Sequence, residues 1–248
     1  MVSGVYWSVG ARAVNEDTVV LEAVHTDMGK CTLMVVCDGI GSLPHGEVVS
    51  GYVSECLIRW FYGAGLRMYH CSVRKIRRSL RKCIYDCHME LKETAKSLGI
   101  SWGTTCTCVY IRGSRYICMH LGDSAAFVFG RMCESSAFLR IRRAYLSGAG
   151  VEQITGVHVN ARNELVRCVG SMGYFEPDFH TGRLCRGSGI LVASDGFAGN
   201  FGLREMGECL CMGADVTQER LEHRLAGLGN EAAARGCGDN RSAVCVIM

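Results

Sequence analysis

An α+β layered domain is the fold class the sequence predicts, and two patterns predict it. Short apolar, β-rich runs recur along the 248 residues with Gly, Asp or Asn between them, and a few long helical stretches interrupt them. In chain order, residues 5–9, 18–24 and 32–37 read as strands, because β-branched and apolar residues cluster there between turn formers. Residues 47–61 then read as one helix. Val73, Ile76, Leu80, Ile84, Cys87, Leu91, Ala95 and Leu98 follow at spacings of three or four, which draws one apolar stripe down a long amphipathic helix. Strands return at 106–112, 116–121, 125–129 and 190–193. A helix over about 217–234 carries Leu221, Leu225 and Leu228 on one face, and 243–247 is the last strand. Residues 131–160 mix glycine, serine and basic residues without periodicity and read as a mobile surface insertion. No linker, repeat or low-complexity tract divides the chain, so one domain over 1–248 is the expectation.

Composition narrows the function classes. At 48% hydrophobic and 21% charged residues, with only two prolines, the chain can bury a core and is not disordered. Its 27 basic and 24 acidic residues leave a net charge of +3, too small to mark nucleic acid or an anionic membrane as the main partner. Arg67, Arg74, Lys75, Arg77, Arg78, Arg81 and Lys82 are the most nucleic-acid-like feature, yet they fall largely opposite the apolar stripe and read as a solvated helix face. The N-terminus has no basic leader before an apolar core, and runs such as 31–37 are far short of a membrane span. A cytoplasmic protein with no membrane partner is expected. Sixteen cysteines lie scattered through apolar stretches and read as reduced thiols. The closest pairs, Cys106 with Cys108 and Cys209 with Cys211, lack zinc-ligand spacing, and no phosphate-cradling thiolate motif surrounds Cys71.

The informative pattern is acidic. Asp38, Asp123, Asp195 and Asp239 each sit beside glycine at the edge of an apolar strand-like run. Any one such Asp reads first as a turn residue. Four together suggest carboxylates gathered at one end of neighbouring strands, where they repel one another unless a cation neutralises them. Hard oxygen donors select Mg2+ or Mn2+. Glu16 and Asp17 add to the acidic supply, and Arg12 stands close enough in sequence to hold a phosphate bidentately. Acids, metal and arginine together point to phosphate-ester chemistry.

In this order the segments resemble the metal-dependent protein phosphatases of the 2C type, over nearly the whole chain. Arg12 with Asn15, Glu16 and Asp17 is similar to the family's RxxxED element, and Asp38, Gly39 and Gly41 with His45, Gly46, Glu47 and Ser50 to its DGxGG and GExxS elements. Gly103, Thr104 and Thr105 match GTT, and Gly122, Asp123 and Ser124 match GDS. Arg162, Asn163, Leu165, Arg167 and Gly170 resemble RNxLxRxxG, Ser194, Asp195 and Gly196 SDG, and Asp239 with Asn240 the final DN.

The resemblance implies a four-layer α-β-β-α sandwich of two antiparallel sheets flanked by helices, with two Mn2+ or Mg2+ ions at one end and a weaker third. It implies hydrolysis of phosphoserine and phosphothreonine in proteins by metal-activated water, without a covalent phosphoenzyme. Asp38 would bridge the metals and Gly39 would offer its carbonyl. Asp195 and Asp239 would complete one metal, Glu16 would serve the other, and Asp123 with Asp195 would hold the third. Arg12 would bind the phosphoryl group, with Asp17 and Asn240 behind the ligands. A phosphoprotein substrate of a serine/threonine kinase and a monomeric, compact bacterial-type enzyme follow. Departures are Ile40 where many relatives have histidine, Ser42 for the second glycine, Ala125 for arginine after GDS, and no evident DHS element, which leaves a short or diverged flap at about 131–160. The competing expectation is a catalytically weak or inactive scaffold that retains the metal site.

Overall fold

The computed structural model describes residues 1–130, 150–170, 174–210 and 216–248. Among these, the strands are β1 (Val2–Ser8), β2 (Asp17–Thr26), β3 (Gly29–Asp38), β4 (Gly103–Thr104), β5 (Cys106–Arg112), β6 (Arg115–Leu121), β7 (Ala125–Phe129), β8 (Val151–Gln153), β9 (Val169–Gly170), β10 (Asp178–Arg183), β11 (Gly189–Ala193) and β12 (Arg241–Ile247). The helices are α1 (Gly46–Trp60), α2 (Val73–Leu98), α3 (Asp195–Ala198), α4 (Leu203–Leu210) and α5 (Gln218–Ala234). One sheet has the order β1-β12-β11-β7-β8, a second β10-β6-β5-β3-β2, and β4 with β9 forms a small ladder. Every pairing of these strands is antiparallel.

The period of two in the strands creates the layers. On β3, Met34 and Val36 face the opposite sheet, the one that holds β12, β11 and β7, whereas Leu33, Val35 and Cys37 pack with Val49, Val53 and Leu57 of α1 and Ile76, Leu80 and Ile84 of α2. On β12, Val244 and Val246 enter the space between the sheets, and Ala243, Cys245 and Ile247 meet Leu221, Leu225 and Leu228 of α5. Helices therefore cover both outer faces, giving the four-layer sandwich. Each fully buried Leu, Ile or Val contributes about 2 kcal/mol of transfer free energy to this arrangement.

Helix α2 begins at Ser72, whose hydroxyl accepts the Lys75 N–H at 3.3 Å, and stops at Gly99, whose φ of 68° is left-handed. Its stripe is buried from Ile76 to Ala95, while Leu98 in the last turn is exposed. All seven cations of the basic run are exposed, and Arg81 and Lys82 pair with Glu176 and Asp86. After α1 the chain continues through a π turn, Phe61–Gly65, and a 3-10 turn, Leu66–Met68.

Several elements have no counterpart in the periodicity. Strands β8 and β10 are sheet edges, and β10 is polar and half-exposed along its length, so pairing with β6 defines it rather than an apolar pattern. Helices α3 and α4 are too short to show a stripe. Of the 131–160 stretch, 131–149 lie outside the described residues, and Val151–Gln153 pair with β7 as β8. Thirteen described cysteines are free thiols, most of them in the cores. Cys185 is disulfide-bonded, which corrects the expectation of a fully reduced set; it sits in a half-exposed turn after β10, outside the apolar strands where thiols pack.

Candidate metal centre

The acids collect because several strands end at one edge of the sandwich. Asp38 closes β3, Asp17 opens β2, Asp123 precedes β7, Asp195 follows β11, and Asp239 precedes β12. Asp17 and Asp38 stand opposite one another in the β2–β3 register, so two carboxylates share one face. The Asp38 backbone is fixed on both sides: its N–H donates to Thr105 Oγ1 at 2.9 Å, and its carbonyl accepts from the Thr105 N–H at 2.8 Å and Thr104 Oγ1 at 2.9 Å. Thr105 Oγ1 also meets Ser124 Oγ at 2.8 Å, tying the Asp38 strand to the Asp123 loop.

Two glycines let the backbone close. A Cβ on Gly39 would lie 2.7 Å from the Gly46 carbonyl carbon, and one on Gly46 would lie 2.7 Å from a Glu16 carboxylate oxygen. At Gly39 the clash would be with backbone, so the Asp38 strand end and the start of α1 can approach this closely only with glycine there, whereas a side chain at Gly46 would push the Glu16 carboxylate aside. Ser50 on α1 strengthens the junction by donating to the Glu16 carbonyl at 2.6 Å. Asn240 binds the N-terminal loop from the other side: its Oδ1 accepts the Glu16 N–H at 2.8 Å, and its Nδ2 donates to the carbonyls of Val9 and Val14 at 2.8 and 3.2 Å.

The electrostatics are those of crowded carboxylates. Burial, then the charges of Asp17, Asp195 and Asp123, push the Asp38 carboxyl well above the usual carboxylate range. Burial also raises Asp17 to about 6 and Asp123 to about 6, with the Asp195 charge adding to both. Neither Asp17 oxygen has a hydrogen-bond partner, although the Ser194 and Ser242 hydroxyls lie close enough to offset part of its shift. Glu16 is raised by burial and by the Glu47 charge. Arg12 forks onto Asp239, Nε to Oδ1 and Nη2 to Oδ2, both at 3.0 Å.

A cavity of about 800 Å3 is lined by Arg12, Glu16, Asp38, Gly39, Asp123, Asp195, Asp239 and Asn240 together. Asp17 is buried and does not line it. Donor chemistry fits hard divalent cations: the wall offers carboxylate and carbonyl oxygens, and the burial and mutual repulsion that lift Asp38 are what a cation offsets. Among the described residues no three such side chains are already closed to metal-binding spacing, and Asp239 is turned to Arg12.

The same cavity is lined by Asn160, Asn163, Glu164 and Leu165. Their loop is an Asx turn in which Asn160 Oδ1 accepts the Arg162 and Glu164 N–H groups at 2.8 and 3.1 Å, and Asn163 is left-handed at φ 62°. His158, which sequence reasoning missed, clamps Gly122 beside Asp123. Its N–H donates to the Gly122 carbonyl at 2.9 Å, its Nδ1 accepts the Gly122 N–H at 3.1 Å, and its Nε2 donates to Asp178 at 3.0 Å. Arg167 completes the network at 3.2 Å from Asp178.

With this geometry in hand, comparison with known proteins gives a consistent answer. The family model described as protein phosphatase 2C matches residues 9–226. PppA of Pseudomonas aeruginosa, a key regulatory component of T6SS, is 24% identical with a TM-score of 0.74, over 99% of this chain and 96% of its own. Serine/threonine phosphatase Stp1 of Staphylococcus aureus is 21% identical with a TM-score of 0.79, over 99% and 94%. The catalytic domain of the serine/threonine protein phosphatase PstP, solved with two manganese ions, is 20% identical with a TM-score of 0.68, over 98% and 96%. No curated protein matches. These structural likenesses establish the fold, and the family match extends over most of the chain: it belongs to the protein phosphatase 2C family, whose members are serine/threonine protein phosphatases.

Proposed function

We propose that the chain hydrolyses phosphoserine and phosphothreonine in proteins, using two Mn2+ or Mg2+ ions and a weaker third. The observation that carries this reading is that Arg12 and the oxygen donors Glu16, Asp38, Gly39, Asp123, Asp195 and Asp239 line one cavity. Asp38, the Gly39 carbonyl, Glu16, Asp195 and Asp239 would hold the two ions, and Asp123 with Asp195 would hold the third. When bound, the ions supply Lewis acidity toward phosphoryl oxygens and make water nucleophilic near neutral pH.

The chain's own residues bind and orient. The Arg12 guanidinium presents a fork suited to two phosphoryl oxygens and stabilises their charge during in-line attack. Thr104, Thr105 and Asn240 hold Asp38 and Glu16 by their backbones. Asp17 stands opposite Asp38 in the β2–β3 register, and its charge adds to the burial that raises the Asp38 carboxyl. Ile40 lines the mouth and has no proton to give, so the leaving oxygen takes its proton from water. The PstP structure with two manganese ions supports the choice of metal.

No helix among the described residues is long and apolar enough to cross a membrane. We read the protein as a cytoplasmic monomer and a single domain that removes phosphate placed by a serine/threonine kinase. Phosphoserine, phosphothreonine and phosphotyrosine peptides, each assayed with Mn2+, with Mg2+ and with excess EDTA, test the reading. Release of phosphate from the first two only with added metal is expected; full activity in EDTA, or no turnover with metal-loaded protein, overturns it.

A further inference from the structure

On the face of the molecule formed by α1 and α2, three thiols meet. Cys56 of α1 lies against Cys83 and Cys87, which are one turn apart on α2. The Cys56 and Cys87 thiols line the same depression and lie close enough to shift one another's ionisation, and Cys83 Sγ donates to the Cys56 carbonyl at 3.5 Å. Arg59 Nη2 reaches Cys56 Sγ at 3.5 Å. A depression of about 410 Å3 opens to this group, with Tyr52 and Glu90 on its wall. Cys56 is half-buried, whereas Cys87 is buried at 2% exposure.

The surroundings divide the roles. The S–H of Cys87 and the Arg59 charge both stabilise a thiolate at Cys56, drawing it down to about 7 against the opposing effects of burial and Glu90. The contact with Cys56, together with burial, holds Cys87 protonated, and burial pushes Cys83 up to about 12. A nucleophilic, accessible thiolate beside a protonated thiol is the pairing that two-step thiol oxidation requires.

We propose that Cys56 is a hydroperoxide-reactive thiol and Cys87 its resolving partner, so that oxidation closes a reversible disulfide between α1 and α2. In the first step the Cys56 thiolate attacks the distal oxygen of a hydroperoxide; the O–O bond breaks and the departing alkoxide or hydroxide takes a proton. Cys56 becomes a sulfenic acid, oxidised by two electrons while the peroxide is reduced by two. In the second, Cys87 sulfur attacks Cys56 sulfur, the S–O bond breaks, and the Cys87 proton leaves with hydroxide as water. Two thiols and one hydroperoxide give one disulfide, one alcohol or water, and one water. A dithiol reductant reverses the change.

Full-length, reduced protein treated with substoichiometric hydrogen peroxide, alkylated and mapped under non-reducing conditions should yield the Cys56–Cys87 cross-link before any other new disulfide. Cys87→Ser should leave a sulfenic acid at Cys56 that a dimedone probe labels, and Cys56→Ser should abolish both products. Because Cys87 is buried, the wild-type protein provides a second readout. Iodoacetamide at pH 7 should label Cys56 about ten-fold faster than the half-buried Cys71, Cys209 or Cys237, reflecting its thiolate fraction. A first cross-link to Cys83 or to another cysteine, or labelling of Cys56 no faster than those thiols, overturns the proposal.

Discussion

Arg12 and Asp239 close a two-pronged ion pair between residues 227 apart in the chain, with both hydrogen bonds at 3.0 Å. Asp239 Oδ1 also accepts the Asn240 N–H at 2.9 Å, so three of the roughly four acceptor positions of this carboxylate are filled. On the proposed function, Arg12 would compete with a cation for Asp239, and Asp239 would compete with a phosphoryl group for Arg12.

Arg12→Ala should move the two affinities in opposite directions. Freed of its partner and of a neighbouring positive charge, Asp239 should bind metal more readily, lowering the Mn2+ midpoint of thermal stabilisation several-fold. Loss of the forked phosphate contact should raise KM about ten-fold or more. Metal titrations of Tm and steady-state kinetics on a phosphothreonine peptide check both, and a raised Mn2+ midpoint would contradict the competition.

Asp38→Asn should separate stability from activity. In chelator the wild-type site holds Asp17 and Asp38 face to face with their charges poorly solvated, so a neutral amide at Asp38 should stabilise the fold by about 1 kcal/mol, or about 2–4 °C in Tm. Turnover with saturating metal should fall at least about a hundred-fold, since the central donor has lost its charge. Melting curves in EDTA and initial rates in Mn2+ decide; a lower Tm in EDTA would show that the repulsion is not the dominant effect.

Much of this site was legible because its donors sit at strand ends, where an Asp beside Gly interrupts an apolar run. Asp38, Asp123, Asp195 and Asp239 were each visible that way, and the stripe from Ile76 to Ala95 announced α2. What escaped depends on neighbours distant in sequence. The partner of Arg12, the clamp of His158 on Gly122, and the edge strands β8 and β10 arise only when the sheets pair. The Asn160 turn carried a local signal, an Asn followed by polar residues, but nothing local showed that it would face the acids. Cys185 resembled the core cysteines in type and differs in lying outside a core strand.

Asn240 joins the first and last segments of the chain, so its removal should cost both stability and activity. Its side chain is the partner of the Glu16 N–H and of the Val9 and Val14 carbonyls in a nearly buried setting. Asn240→Ala leaves these groups without that partner, at about 1 kcal/mol each. A loss of about 3 kcal/mol, seen as a Tm lower by about 6–12 °C, is expected, with a higher metal requirement because Glu16 is no longer positioned. Unchanged Tm and metal midpoint would remove Asn240 from this role.

The last prediction concerns mild acid and rests on His120. Its Nε2–H donates to the Gly156 carbonyl at 2.7 Å, its Nδ1 meets the Thr107 hydroxyl at 2.9 Å, and its ring lies 4.7 Å from that of His158. Burial, and then the His158 charge, lower its pKa from 6.5 to about 4. The group is therefore neutral in the folded state across a range where the unfolded chain binds a proton. Stability is unaffected above pH 6.5 and declines as pH falls from 6.5 to 4, because the unfolded state gains protons that the folded state refuses. Between pH 7 and 4.5 this amounts to about 2–3 kcal/mol. Asp17, Asp123 and Asp178 also titrate differently in the fold, so the effect is best read as a difference between wild type and His120→Asn. Urea midpoints of both proteins in chelator at pH 7 and 4.5 should show wild type losing about 2–3 kcal/mol more than the variant on acidification. An equal acid response in the two proteins would mean that His120 is protonated in the folded state at a near-ordinary pH and that its burial does not govern the acid limit of this fold.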